Sequence, residues 1–153
     1  YDSLQTLALL DGVVDIYMPD LKYASPQIAR HYSKIPGYPQ VNQAGVREMH
    51  RQVGDLQIDG RGIARRGLLV RHLILPNNLA GTQEILRFLA QEISQDTYLN
   101  LMDQYRPAFN ARLYPRLNRR VTAAEYKATL TMAAEAGLSR LDNRRTFPLP
   151  AGL

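Results

Sequence analysis

Val13–Tyr23, VVDIYMPDLKY, is an apolar, β-branched run that closes on Asp20, Leu21 and Lys22. A strand buried on both faces has this composition. Side chains two apart on a strand point the same way, so Asp20 and Lys22 are expected on one face at its carboxyl end. In parallel α/β sheets and barrels, ligands bind at that end. A carboxylate beside an ammonium suits a zwitterionic or hydroxyl-rich ligand. Equally, the two form a salt bridge that closes the strand mouth, and the stretch by itself leaves both readings open.

Upstream, Asp2 or Ser3 caps a short helix through Leu10, with Leu4, Leu7 and Leu10 on its inner stripe. Asp11-Gly12 then turns the chain into the strand. Downstream, Ser25-Pro26 marks a helix start. A second helix runs from near Pro39 to about Val53, with Val41, Ala44, Met49 and Val53 inward, and Gly54 ends it. Leu56–Ile58 and Ile63–Arg65 flank Asp59-Gly60 as a small hairpin. Gly67 is expected to break it, and Leu68–Leu75 reads as a strand around the polar pair Arg71-His72.

Thr82 is expected to cap a helix to about Ile93, with Ile85, Leu86, Leu89 and Ile93 inward. Tyr98–Met102 is a third strand, and Pro107–Val121 an irregular, arginine-rich loop with a short helix around Ala111. Thr122 and Glu125 make a capping box for a helix with Tyr126, Leu130, Ala133 and Gly137 on one face. Leu138–Leu153 reads as a tail.

Strands alternating with helices indicate parallel βαβ units. A complete (β/α) barrel takes ~250 residues, and this chain has 153. The expected fold is therefore α/β: a partial, TIM-like (β/α) barrel with three main parallel strands, flanking helices and a small hairpin. Residues 1–141 would form one barrel portion and 142–153 the tail.

The net charge is +5, carried by 16 arginines against 3 lysines, with pairs at Arg65-Arg66, Arg119-Arg120 and Arg144-Arg145. Acidic residues lie between these pairs and no aromatics interleave them, so a solvated face explains them better than a nucleic-acid surface. No apolar run approaches the ~20 residues of a membrane span. YDSLQTLALL lacks the basic leader of a signal peptide. The expected location is the cytoplasm, and a first residue of tyrosine suggests a processed or excised chain. With no cysteine, this chain offers no thiolate for zinc or an iron–sulfur cluster.

The strand ends collect Asp20 and Lys22, then Arg71 or His72, then Asp103, Gln104 and Tyr105. Arg71 and His72 are adjacent on a strand, so only one faces inward. An inward arginine would fork onto a carboxylate; the plainer reading is an ion-pair network supporting the sheet. His31, His50 and His72 have no zinc spacing. There is no GxSxG elbow and no glycine-rich phosphate loop.

VDIYMPDLKY, YPQVNQAGVREMHRQVGDL, GLLVRHLILPNNLAG and YLNLMDQYRPA occur in that order. Together they resemble the carboxyl-terminal half of radical S-adenosylmethionine proteins related to pyruvate formate-lyase activating enzyme, over roughly Tyr1 to Leu141. The resemblance implies a six-stranded partial barrel whose first strand precedes a CxxxCxxC loop holding a [4Fe-4S] cluster. The reduced cluster splits S-adenosylmethionine, and the 5′-deoxyadenosyl radical abstracts hydrogen from substrate. On this likeness Val13–Lys22, Leu68–Leu75 and Tyr98–Met102 are the fourth, fifth and sixth strands.

The likeness also implies that Asp20, Leu21 and Lys22 contact S-adenosylmethionine, and that Arg71 meets its carboxylate or the substrate. Tyr105, beside Gln104, stands where activating enzymes carry a histidine, which leaves that role open. The chain lacks the cluster-binding cysteines and the first three strands. It is therefore expected to be a non-cleaving half, with the missing amino-terminal half as partner and a glycyl radical enzyme as candidate protein substrate. Its open strand edges favour self-association. The competing reading is a non-catalytic basic domain that binds a protein or RNA through Arg116, Arg119 and Arg120. A small hydrolase, on scattered Asp and His, is a third.

Overall fold

The computed structural model describes residues 3–142. Its elements are α1 (Leu4–Leu9), β1 (Ile16–Tyr17), β2 (Asp20–Leu21), α2 (Pro26–Ser33), α3 (Tyr38–Val53), β3 (Gln57–Ile58), β4 (Ala64–Leu73), α4 (Thr82–Phe88), β5 (Tyr98–Met102) and α5 (Ala123–Glu135). Together they make an open, mostly parallel five-stranded sheet with flanking helices.

The central strand is β4. β1 and β2 pair with it in parallel and with one stagger, Ile16 opposite Gly67 and Asp20 opposite Arg71. Gly67 N–H donates to Asp15 O at 2.8 Å and Arg71 N–H to Pro19 O at 2.9 Å, so both short strands lie along the same side of β4. They are two lengths of a single extended run. β5 lies on the other side, also parallel, from Leu69–Tyr98 to Leu73–Met102. β3 pairs antiparallel with the start of β4 through the Asp59 turn.

Burial alternates along β4 from Leu68 to Leu73 and along β5. Leu68, Val70 and His72 of β4 and Leu99 and Leu101 of β5 are buried, as are Tyr17 and Leu21. These side chains meet Val46, Met49 and Val53 of α3, Ile85, Leu86 and Leu89 around α4, and Ala133 of α5 in the main core. The alternate residues Ile16, Met18, Asp20, Leu69, Arg71, Leu73, Tyr98, Asn100 and Met102 are exposed or half-buried. The helix layer therefore covers one face of the sheet and leaves the other open.

This corrects the expectation for Val13–Tyr23. The run is not buried on both faces: Ile16 is 38% exposed and Met18 54%, on the side the helices leave open, and Val13 lies in the turn before the strand. Pro19 also lacks the N–H a ladder needs, and the run is assigned as strand only on either side of Met18 and Pro19.

Several boundaries shift for identifiable reasons. Gly67 does not break β4, which continues through it from Ala64 to Leu73. Its φ is +119°, and a Cβ there would lie 2.4 Å from Asp55 O; the glycine admits the backbone of Asp55, which bridges Leu68. Gly81, not Thr82, caps α4, since the Thr82 hydroxyl is engaged by His72. A π-helical turn over Leu89–Ile93 continues α4. In α1 Ser3 is the cap and only Leu7 is buried. Leu138–Leu141 is not a tail: Leu138 is buried, and Leu141 bridges Leu99 at the outer side of β5. Asp142 N–H also donates to Leu99 O, at 2.9 Å; residues 143–153, and Asp2, lie outside the described residues. The Thr122–Glu125 capping box, the Ser25 cap and the limits of β5 match the sequence reading. No helix among the described residues is long and apolar enough to cross a membrane.

Candidate functional site

The register sets Asp20, Arg71 and Asn100 in one row across three parallel strands. All three belong to the open side of the sheet. Arg71 Nε donates to Asp20 Oδ1 at 2.6 Å, and Lys22 Nζ stands 3.7 Å from Asp20 Oδ2. The carboxylate thus lies between a guanidinium and an ammonium. Arg71 and Asp20 keep about a third of their side-chain surface exposed, 36% and 31%. They remain reachable by a ligand.

The backbone around Asp20 is held from α3. Asp20 O accepts from Tyr38 Oη at 3.2 Å and from Asn42 Nδ2 at 3.1 Å, and Lys22 N–H donates to Tyr38 Oη at 3.1 Å. Tyr38 and Asn42 are one helical turn apart, which places both on the same face of α3. A cavity of about 470 Å³ follows this edge, lined by Met18, Asp20, Lys22, Tyr38, Asn42 and Arg71 among others.

His72 points the opposite way from Arg71 and is fully buried. Its Nδ1 lies 2.8 Å from Leu21 O and its Nε2 2.9 Å from Thr82 Oγ1. A carbonyl only accepts, so Nδ1 carries the proton and Nε2 accepts from the threonine. Burial pushes the imidazole down to about 4, against the opposing effect of the Leu21 carbonyl. A neutral histidine here joins β2, β4 and α4.

Leu21 faces the core, so any ligand contact from it is by backbone. Gln104 is exposed. Tyr105 joins neither Asp20 nor Arg71. It lines a second cavity, of about 390 Å³, with Tyr23, Tyr32, Leu75 and Tyr114, and its hydroxyl donates to Leu117 O at 3.0 Å. Burial, then the neighbouring Tyr23, raises its pKa above the usual phenol value. Asn100 was not among the sequence candidates, although its parity with Met102 in YLNLM put it on the same face as Arg71 once Arg71 was known to face outward.

The arginine surface assigned to a protein or RNA partner is partly spent within the fold. Arg119 Nη1 and Nη2 donate to both Glu125 oxygens at 2.8 and 2.7 Å, and Glu125 Oε1 also accepts from Asn77 N–H at 2.7 Å. The guanidinium holds the Glu125 carboxyl well below the usual range. Asp55 stands between His50, at 3.1 Å, and Ser94, at 3.0 Å; with the carboxylate and not the histidine in the middle, these three do not make a serine triad.

Over 139 residues the chain is 30% identical to a protein of Methanocaldococcus jannaschii, Uncharacterized protein MJ0674. The likeness takes in 90% of this chain. It spans only 37% of that protein's length. The chain matches no family model and no solved structure.

Proposed function

We propose that this chain is a portion of a radical S-adenosylmethionine enzyme, similar to pyruvate formate-lyase activating enzyme and working in the cytoplasm. The observation carrying this reading is the Asp20–Arg71–Asn100 row on the uncovered side of a parallel sheet. In a (β/α) barrel the helices stand outside and the opposite side of each strand faces the interior. A partial barrel of this kind has helices over one face only, as here.

The residues present fit S-adenosylmethionine. Arg71 would fork onto its methionyl carboxylate, with Lys22 adding a second positive charge. Asp20 would accept from the α-ammonium or a ribose hydroxyl, and Asn100 offers both donor and acceptor beside Arg71. Tyr38 and Asn42 hold the Asp20 backbone so that its carboxylate keeps its position. When bound, S-adenosylmethionine would supply radical hydrogen abstraction, with the electron for its cleavage coming from an iron–sulfur cluster held outside this chain. The residues present do not fit an iron–sulfur cluster, since the chain has no cysteine; the missing barrel half would carry it. A glycyl radical enzyme is the protein substrate the likeness suggests.

Calorimetric titration with S-adenosylmethionine tests the reading. Weak, saturable binding is expected, reduced about tenfold or more in Asp20→Ala and Arg71→Ala, while the chain alone forms no 5′-deoxyadenosine under reducing, anaerobic conditions. Absence of binding, or binding indifferent to both substitutions, overturns the proposal.

A further inference from the structure

The second cavity sits at the mouth of the sheet. Tyr23, Leu75 and Tyr105, which line it, follow the ends of β2, β4 and β5, and Tyr32, Phe109 and Tyr114 close its sides. Its volume of about 390 Å³ lies within the ~300–1,000 Å³ common for small-molecule sites. Phe109 is 90% exposed and sits at φ +50°, a conformation costly for a bulky residue. An aromatic ring is thus displayed at the rim against both solvation and backbone preference.

Beside this cavity lies a cationic recess lined by Gln27, Arg30, His31, Lys34 and Pro36. The two are joined. Lys34 lines both, and the His31 ring packs edge-on against Tyr32 at 4.7 Å and Tyr114 at 5.3 Å. Among the described residues, Arg30 and Lys34 have no carboxylate partner. Lys34 Nζ spends one of its three N–H donors on His31 O, at 2.8 Å, leaving two for an incoming anion.

We propose that this composite site binds a mononucleotide-like ligand, with a planar base among the tyrosines and Phe109 and a phosphate on Arg30 and Lys34. Tyrosine edges and faces accept a π-system of any base. Arginine and lysine recognise phosphate by charge-assisted hydrogen bonds. Basic residues at a helix end also complement its dipole, but that role calls for no aromatic cavity alongside. Tyr23 and Ser33 line both this cavity and the Asp20 cavity, but the site uses none of Asp20, Lys22, Arg71 or Asn100, so the Arg30 and Lys34 substitutions test it apart from the radical-enzyme reading.

The test titrates the chain with adenosine, guanosine, cytidine and uridine monophosphates, the matching nucleosides, and inorganic phosphate. Saturable binding of at least one monophosphate is expected, tighter than its nucleoside and than inorganic phosphate. Arg30→Ala with Lys34→Ala should weaken the monophosphate about tenfold and leave the nucleoside unchanged. Phe109→Gly should weaken both while leaving thermal stability equal or higher, because glycine relieves the positive φ. Two results overturn the proposal: no monophosphate binds at millimolar concentration, or the double substitution leaves affinity unchanged.

Discussion

His72 illustrates how one buried group makes stability depend on pH. The unfolded chain takes up a proton near the ordinary histidine value of 6.5, the folded chain only at about 4. Between these values the unfolded state binds more protons, so stability is complete above about 6.5 and falls as the pH drops toward 4. The loss from this residue should reach about 3 kcal/mol. Urea unfolding across that window should show the slope in the native chain, and His72→Gln should flatten it. Gly67 is the second residue on which much rests. Gly67→Ala drives a Cβ against the Asp55 carbonyl at a φ of +119°, and should cost about 2–4 kcal/mol in the same assay. A substitution costing under ~1 kcal/mol would show that Asp55 is free to move away.

At the scale of elements, the β1/β2 run is an edge, and exposed edges recruit other chains unless something occupies their backbone groups. Its carboxyl end is occupied. Tyr38 accepts from Lys22 N–H and donates to Asp20 O. Tyr38→Phe leaves those groups without that hydroxyl and should cost about 1–2 kcal/mol, with weaker S-adenosylmethionine binding as Asp20 loosens. The amino-terminal part of the run leaves Ile16 and Met18 exposed at 38% and 54%. Light scattering is expected to show dimers, and Met18→Lys to shift them toward monomer. A native chain that is monomeric at high concentration defeats this expectation.

At the scale of the whole molecule, the parallel order, β5 and the capping box of α5 were legible because each rests on local chemistry. Period-two alternation in YLNLM, serine before proline, and threonine three residues ahead of glutamate act within a few residues of chain. The expected break at Gly67 failed because the reason for that glycine is a close approach of Asp55, twelve residues upstream, and not the end of a strand. Thr82 failed as a cap for the same kind of reason, since its hydroxyl is claimed by His72 across the core. Asp20, Lys22 and Arg71 came together, whereas Tyr105 lines the separate tyrosine cavity and Leu21 turns toward the helices.

The sequence by itself determined which segments are strands or helices and that an acid, an ammonium and a guanidinium stand near strand ends, because those properties follow from short-range periodicity and capping. It did not determine which of Arg71 and His72 faces outward, nor that Asn100 completes their row. Those depend on the side of β4 to which the helices pack. Only the tertiary structure decided that, by burying Leu68, Val70 and His72 against α3 and α4 and leaving the intervening residues to the open side of the sheet.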